Sequence, residues 1–184
     1  PALVREHLGG LRPILCANLP YNITTPLLTR VVESRCFRSL TVLIQKEVAQ
    51  RICAAPGTAD YGAFTLLMQY YTAPKLLFEV PNTCFLPAPK VTSAVIHCPV
   101  RQQPPVEVGN EAMLWRTVRA GFALRRKTLV NSLQTGFPLP KDRLAAIVSA
   151  CGLPENVRGE RLSLADYAAL ADALAREPEL LGVL

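Results

Sequence analysis

Four consecutive residues, Asn18-Leu19-Pro20-Tyr21, combine groups suited to one demanding reaction. The exocyclic amine of adenine is a poor nucleophile because its lone pair is delocalised into the ring. An Asn carbonyl can accept one hydrogen bond from that amine. The Leu19 backbone carbonyl, ahead of a rigid proline, can accept a second. Two acceptors at fixed angles localise the lone pair and aim it at a methyl donor, while the Tyr21 ring stacks on the base. The gain comes mainly from positioning, worth ~7–11 kcal/mol in favourable cases, and needs neither metal nor strong base. A strand followed by an ordinary turn would look the same over four residues, so the rest of the chain has to decide.

Two further features bear on the same chemistry. The stretch Cys84 to Val95 contains Pro87 and Pro89, which stiffen an extended segment and can hold Phe85 out of the core as a second stacking surface. Lys90 adds a charge able to reach a phosphate. A buried Phe beneath a proline-rich turn is the competing reading. Farther on, Arg116, Arg119, Arg125, Arg126 and Lys127 occur with no acidic residue among them. On one helix, Arg116, Arg119, Arg126 and Lys127 fall within about 100° of arc, beside an apolar face of Leu114, Val118, Phe122 and Leu129. Arg125 would fall on that apolar face, which predicts a helix break between Gly121 and Arg126. The density of the stripe favours phosphate contact over a merely solvated face.

These residues need elements to hold them. Pro13 to Ala17 is short and apolar and predicts a buried parallel strand that delivers Asn18 at its carboxyl end, where open α/β sheets bind ligands. Thr24-Thr25-Pro26 predicts a helix start with Thr at the cap, and Leu27, Leu28, Val31 and Val32 supply its apolar stripe. Leu40 to Ile44 is a second buried strand, followed by a helix from Gln45 to Ala54 that Pro56-Gly57 stops. A helix begins near Gly62. Lys75 to Val80 and Val91 to Val100 form a hairpin closing one sheet edge. Arg101 to Gly109 is a linker, and four helices follow, roughly 111–124, 126–135, 141–150 and 163–176, the last opened by a capping-box pattern at Ser163 and Asp166. The picture is the second half of a doubly wound α/β domain followed by a small all-α domain.

Composition narrows the function classes. The 184 residues carry 20 basic and 14 acidic side chains, a net charge of +6 that permits a polyanionic partner. The six cysteines, Cys16, Cys36, Cys53, Cys84, Cys98 and Cys151, are never closer than 14 residues apart, and with only His7 and His97 they offer no zinc or redox pair. Scattered thiols fit a reducing cytoplasm, as small buried hydrophobes. No apolar run approaches the ~20 residues a spanning helix needs. The chain opens at Pro1 inside an α/β pattern, which reads as truncation.

The stretches NLPYNITTPLL (18–28), QKEVAQRI (45–52), DYGAFTLLMQYY (60–71), FLPAPKVTSAV (85–95), LRRKTLVNSL (124–133) and RGERLSLADYAAL (158–170) closely resemble the bacterial ribosomal RNA small-subunit adenine dimethyltransferases. The resemblance implies dimethylation of two adjacent adenosines near the 3′ end of 16S rRNA in the 30S subunit, with S-adenosylmethionine as donor, by a monomer. It implies that Asn18, Leu19, Pro20 and Tyr21 are the target-amine motif, that Asn18 also touches the donor, and that Phe85 stacks on the flipped adenine. It divides the chain into a partial Rossmann-like methyltransferase domain (1–103) and a helical RNA-binding domain (104–184). The family's glycine-rich loop and acidic ribose-binding residue have no match here; Gly9-Gly10 does not follow a strand and is no substitute. The resemblance therefore implies an incomplete donor pocket. Competing readings are a 23S rRNA methyltransferase of the macrolide-resistance type, a binding module for rRNA or the 30S particle without turnover, and a DNA adenine methyltransferase.

Overall fold

A computed structural model of the chain describes residues 6–7 and 10–180. The described residues form two compact units: those up to Ala54 together with Phe64–Pro105, and Ala55–Ala63 together with those from Val106 onward.

The first unit is a mixed α/β assembly. Its strands are β1 (Ile14–Asn18), β2 (Ser39–Gln45), β3 (Lys75–Val80) and β4 (Ser93–Pro99), in the spatial order β1-β2-β4-β3. β1 and β2 are parallel, joined through helix α1 (Thr24–Glu33), as a parallel pair requires. β2 with β4 and β3 with β4 are antiparallel, so the expected hairpin lies at one edge of this sheet. Alternation along β2 and β4 sets the core. Leu40, Val42 and Ile44 are buried and pair in register with Cys98, Ile96 and Ala94, also buried. Fully burying a Leu or Ile side chain contributes roughly 1.5–3 kcal/mol, so the ladder brings its own apolar face. On the opposite face Thr41 and His97 pair directly, Oγ1 to Nδ1 at 2.8 Å.

Two expectations need correction here. β1 is parallel, as expected, but not buried: Ile14, Cys16 and Asn18 are exposed and Leu15 and Ala17 half-buried, because β2 is its one neighbour in the described sheet. Thr24 is not the cap of α1. Ile23 holds that position, and the Thr24 hydroxyl donates back to the Pro20 carbonyl at 3.0 Å. A 3-10 turn at Tyr21–Ile23 precedes the helix; it starts the coil, so the hydroxyl serves the preceding loop. Leu28 and Val32 are fully buried and Leu27 and Val31 half-buried, so the stripe of α1 is as read. Helix α2 (Lys46–Ile52) follows β2, and helix α3 (Ala63–Tyr71) satisfies its carboxyl end. Thr65 donates to the Arg51 carbonyl, and the Gln69 amide to those of Ile52 and Ala54.

Among the described residues of the second unit every regular element is helical: α4 (Glu111–Ala123), α5 (Leu129–Leu133), α6 (Lys141–Ala150) and α7 (Leu164–Leu174). Asn110 caps α4 by accepting from the Met113 N–H at 3.0 Å. Ser163 and Asp166 form the expected capping box on α7. Residues 55–63, read from sequence as part of the sheet domain, group here because Tyr61 is buried and donates to the Leu162 carbonyl at 2.8 Å. The Gly57 N–H likewise donates to the Glu160 carbonyl at 2.7 Å. Tyr61 also meets Phe122, which stacks on Tyr167 at 5.8 Å between centroids. Burial pushes both tyrosine hydroxyls far up from their usual pKa, so they remain neutral donors.

The thiols do not behave alike. Burial pushes Cys98 up to about 12, whereas Cys16 and Cys84 are exposed, contrary to the expectation of six buried hydrophobes. No described helix is long and apolar enough to cross a membrane.

Gly121 of α4 faces Tyr167 so closely that a Cβ would lie 2.9 Å from Cε1 of the ring. Gly121→Ala should therefore destabilise the helical unit by about 1–3 kcal/mol, the usual cost of overpacking, despite the better helix propensity of Ala. Urea unfolding followed by tyrosine fluorescence measures it, and an unchanged midpoint would contradict this packing.

Candidate functional site

β1 ends at Asn18, paired with Leu43, and the Leu19 N–H continues the ladder to the Leu43 carbonyl at 3.1 Å. The chain then leaves the sheet at Pro20, whose fixed φ of −59° directs it into the 3-10 turn. The Pro20 carbonyl accepts from Ile23 N–H and Thr24 Oγ1, so the turn is closed from within. Leu19 is buried, while Asn18 is exposed. Among the described residues neither the Asn18 side-chain amide nor the Leu19 carbonyl makes a hydrogen bond, which leaves both acceptors available to a ligand.

The Tyr21 ring is not free to turn. Its hydroxyl bonds Ser93 Oγ at 2.7 Å, and Ser93 is wholly buried at the start of β4, opposite Gln45 of β2. Ser93 lay inside the VTSAV stretch yet received no role from sequence; nothing in its type or spacing announces a partner 72 residues away. The loop before β4 is closed too. Asn82 Nδ2 donates to the Pro89 carbonyl at 3.2 Å and Phe85 N–H to the Asn82 carbonyl at 3.2 Å. No local pattern marks Asn82 for this role either. The Leu86–Pro87 peptide is cis.

The two loops meet. Asn18, Leu19, Pro20 and Tyr21 line one cleft of about 350 Å³ with Phe85, Leu86, Pro87 and Pro89. Phe85 is half-buried in that lining, neither lost in the core nor free in solvent. Lys90 is exposed just beyond and is not part of the lining. A neighbouring hollow of about 210 Å³ holds Gln45, Lys46, Glu47, Val91 and Thr92, with Lys46 paired to Glu79 at 2.9 Å. The main cleft presents two hydrogen-bond acceptors and two aromatic rings with no ionisable carboxylate or amine among its lining residues, an arrangement suited to a flat neutral base. Among the described residues no group of His, Cys, Asp and Glu could hold a metal.

Within the second unit the basic residues do not form one helical stripe. α4 ends at Ala123, and Leu124 to Lys127 make a turn whose hub is the Leu124 carbonyl, accepting from Lys127 N–H at 2.9 Å and Ser132 Oγ at 3.1 Å. Arg119 therefore stands on the helix and Arg126 and Lys127 on the turn, all exposed. Arg116 is turned inward: Nε donates to the Gly136 carbonyl at 3.0 Å and the guanidinium lies 4.7 Å from the Phe137 ring. Arg125 donates to the Ala59 carbonyl. The expected arc of Arg116, Arg119, Arg126 and Lys127 is therefore not formed, because α4 ends before Arg126 and Lys127.

Residues 11–176 match the ribosomal RNA adenine dimethylase family. A protein of Alkaliphilus oremlandii named ribosomal RNA small subunit methyltransferase A is 43% identical over 177 residues, 95% of this chain and 62% of that protein. The protein of the same name from Pelotomaculum thermopropionicum is 46% identical over 167 residues, 90% of this chain and 57% of its own length. The chain thus spans about 60% of these relatives. Among solved structures, a dimethyladenosine transferase from Plasmodium falciparum superposes with a TM-score of 0.72 at 22% identity, covering 86% of this chain and 65% of that one. The 23S rRNA methyltransferase ErmE gives 0.64 at 21%, covering 96% and 79%. At such identities these structures speak to the fold alone.

The Tyr21–Ser93 bond makes a measurable claim. Tyr21→Phe strands a buried hydroxyl and should cost about 1–3 kcal/mol of stability. Ser93→Ala in the same chain should recover most of that loss. If the two losses simply add in a double-mutant cycle, the hydrogen bond is not holding the ring.

Proposed function

The chain belongs to the ribosomal RNA adenine dimethylase family, and from that premise we propose that it forms the base-capturing and RNA-holding part of an S-adenosylmethionine-dependent enzyme that dimethylates two adjacent adenosines near the 3′ end of 16S rRNA in the 30S subunit. The observation that carries this reading is the single cleft that unites the Asn18–Tyr21 turn with Phe85. Relatives named as small-subunit methyltransferases at 43% and 46% identity support the substrate. In this reading the first unit is the target-base half of a Rossmann-like methyltransferase domain and the second an RNA-binding helical domain.

The proposed steps follow from the groups on hand. A base stacked in RNA cannot present its amine to a buried donor, so it is extruded at a cost of a few kcal/mol. Tyr21 and Phe85 offset that cost by stacking, at ~1–3 kcal/mol per contact. The Asn18 side-chain oxygen and the Leu19 carbonyl accept the two N–H groups of the amine and so hold its lone pair out of conjugation. Tyr21, tied to Ser93, keeps the ring plane fixed while the amine reacts.

The methyl group comes from S-adenosylmethionine when it is bound. Of the residues present, Asn18 is the one in this reading that touches it; the cleft lining has no carboxylate for the ribose hydroxyls and no glycine-rich loop follows a described strand. Gly10 precedes β1 rather than following a strand, and Gly9 lies outside the described residues. The residues present do not fit the whole donor.

Phosphate binding falls to Arg119, Arg126 and Lys127, whose exposed side chains make no hydrogen bond or ion pair among the described residues, with Lys90 near the cleft. Arg116 and Arg125 join them only in part, since each is engaged by a backbone carbonyl.

Two predictions test this reading. In the full-length protein, Asn18→Ala should lower kcat for methyl transfer to RNA about a hundredfold or more, with RNA affinity nearly intact. Phe85→Ala should instead weaken base capture, and Phe85→Tyr or Trp should restore much of it. A near wild-type rate for Asn18→Ala would make the tetrapeptide structural. Separately, replacing Arg119, Arg126 and Lys127 by Ala should flatten the log–log salt dependence of RNA binding by roughly 0.7–0.9 per lost contact. Arg116→Ala should chiefly lower stability. An unchanged slope in the triple variant would mean these charges are only solvated.

A further inference from the structure

Leu86 sits where no requirement of the fold explains it. It is fully exposed, at 101% of its open-chain area, the highest among the large exposed hydrophobics, with Leu11 next at 73%. A single exposed leucine is ordinary on a protein surface. Two observations separate this one. Its loop is closed on itself by the Asn82–Pro89 and Phe85–Asn82 hydrogen bonds and stiffened by the fixed φ of Pro87 and Pro89, so the side chain is held away from the core. It also borders the cleft, next in sequence to Phe85 and lining the same space as Asn18 and Tyr21.

We infer that Leu86 is the wedge that fills the place vacated by the target adenine in the RNA stack. This deepens the reading of the cleft as an adenine site and rests on it. Extruding a base leaves an apolar gap between its two neighbours, and proteins that unstack nucleic acids offset that cost by inserting an apolar side chain into the gap. Such a side chain must be uncharged, free of hydrogen-bonding groups that the gap could not satisfy, rigidly presented, and beside the pocket that receives the base. Leu86 meets each condition. Phe85 and Leu86, adjacent on one stiff loop, then divide the work: the phenyl ring holds the base that has left the stack, and the leucine occupies the space it left. Having no donor or acceptor, Leu86 contributes to extrusion without reading sequence.

The test uses the full-length protein and two RNAs containing one target adenosine. In one, a hairpin stacks the adenosine between its neighbours; in the other, an unpaired oligonucleotide carries abasic sites on both sides, so no stack has to be opened. Leu86→Ala removes no buried contact and should fold as the parent does. On the hairpin it should lower kcat/KM about tenfold or more, the effect expected when a leucine side chain is no longer buried; on the abasic-flanked RNA it should stay within about twofold of the parent. Leu86→Met should retain most of the hairpin activity, and Phe85→Ala should lose activity on both RNAs. Equal loss on both RNAs, or no loss on either, from Leu86→Ala overturns the wedge. If the parent methylates neither RNA, the adenine-site reading fails, and the wedge with it.

Discussion

The antiparallel ladder between β2 and β4 is the constraint on which the candidate site depends. It runs in unbroken register from Ser39 opposite Pro99 to Gln45 opposite Ser93. Because β1 is parallel to β2 and ends with Asn18 beside Leu43, the exit of β1 and the entry of β4 fall at the same end of the sheet. The turn that follows β1 and the proline-rich loop that precedes β4 are thus brought together by strand pairing, although more than 60 residues separate Tyr21 from Phe85 in sequence. A one-residue slip would turn Ser93 to the other face and remove the anchor of Tyr21. The buried pairs Leu40–Cys98, Val42–Ile96 and Ile44–Ala94 resist that slip, since it would carry the apolar side chains of the slipped strand out of the core. Core packing and site geometry are here one constraint.

The site combines rigid presentation with unfilled hydrogen-bonding capacity. Tyr21 is tied by Ser93 and the Phe85 loop by Asn82, while the Asn18 amide and the Leu19 carbonyl are left for a ligand. That division suits a catalyst working by orientation, where the cost of ordering the groups is met during folding rather than in the reaction. The second unit divides its charges in a similar way: Arg116 and Arg125 are engaged by the Gly136 and Ala59 carbonyls, while the turn after α4 displays Arg126 and Lys127.

How much of this was legible depended on the range of the interaction. β3 is legible from Lys75 to Val80 because a short, mostly apolar run bounded by Pro74 and Pro81 is too short for a helix. The capping box on α7 is a signal within four residues, and it was read. The break after Ala123 is legible because Arg125 cannot sit on an apolar face, and that same break takes Arg126 and Lys127 off the helical arc. Thr24-Thr25-Pro26 has the composition of a helix start, whereas the preceding 3-10 turn starts the coil and leaves Ile23 at the cap. Exposure of β1 is not legible locally, because an apolar run looks alike whether a strand has one neighbour or two. Ser93, Asn82 and the placement of residues 55–63 depend on contacts far along the chain, including the 101-residue separation of Tyr61 and Leu162, and no local pattern encodes them. Leu86, by contrast, stood in plain view but carried no chemistry until its neighbours were known.

The cleft between Asn18 and Phe85 is proposed to receive an unstacked adenine. Photocrosslinking tests it most directly: an RNA oligonucleotide bearing 8-azidoadenosine at one unpaired position is irradiated with the chain, and the adducts are mapped by peptide mass spectrometry. Adducts are expected on the peptides holding Tyr21 and Phe85, suppressed by an excess of the same RNA carrying ordinary adenosine at that position. Adducts confined to residues 106–180, with none at the cleft, would contradict it.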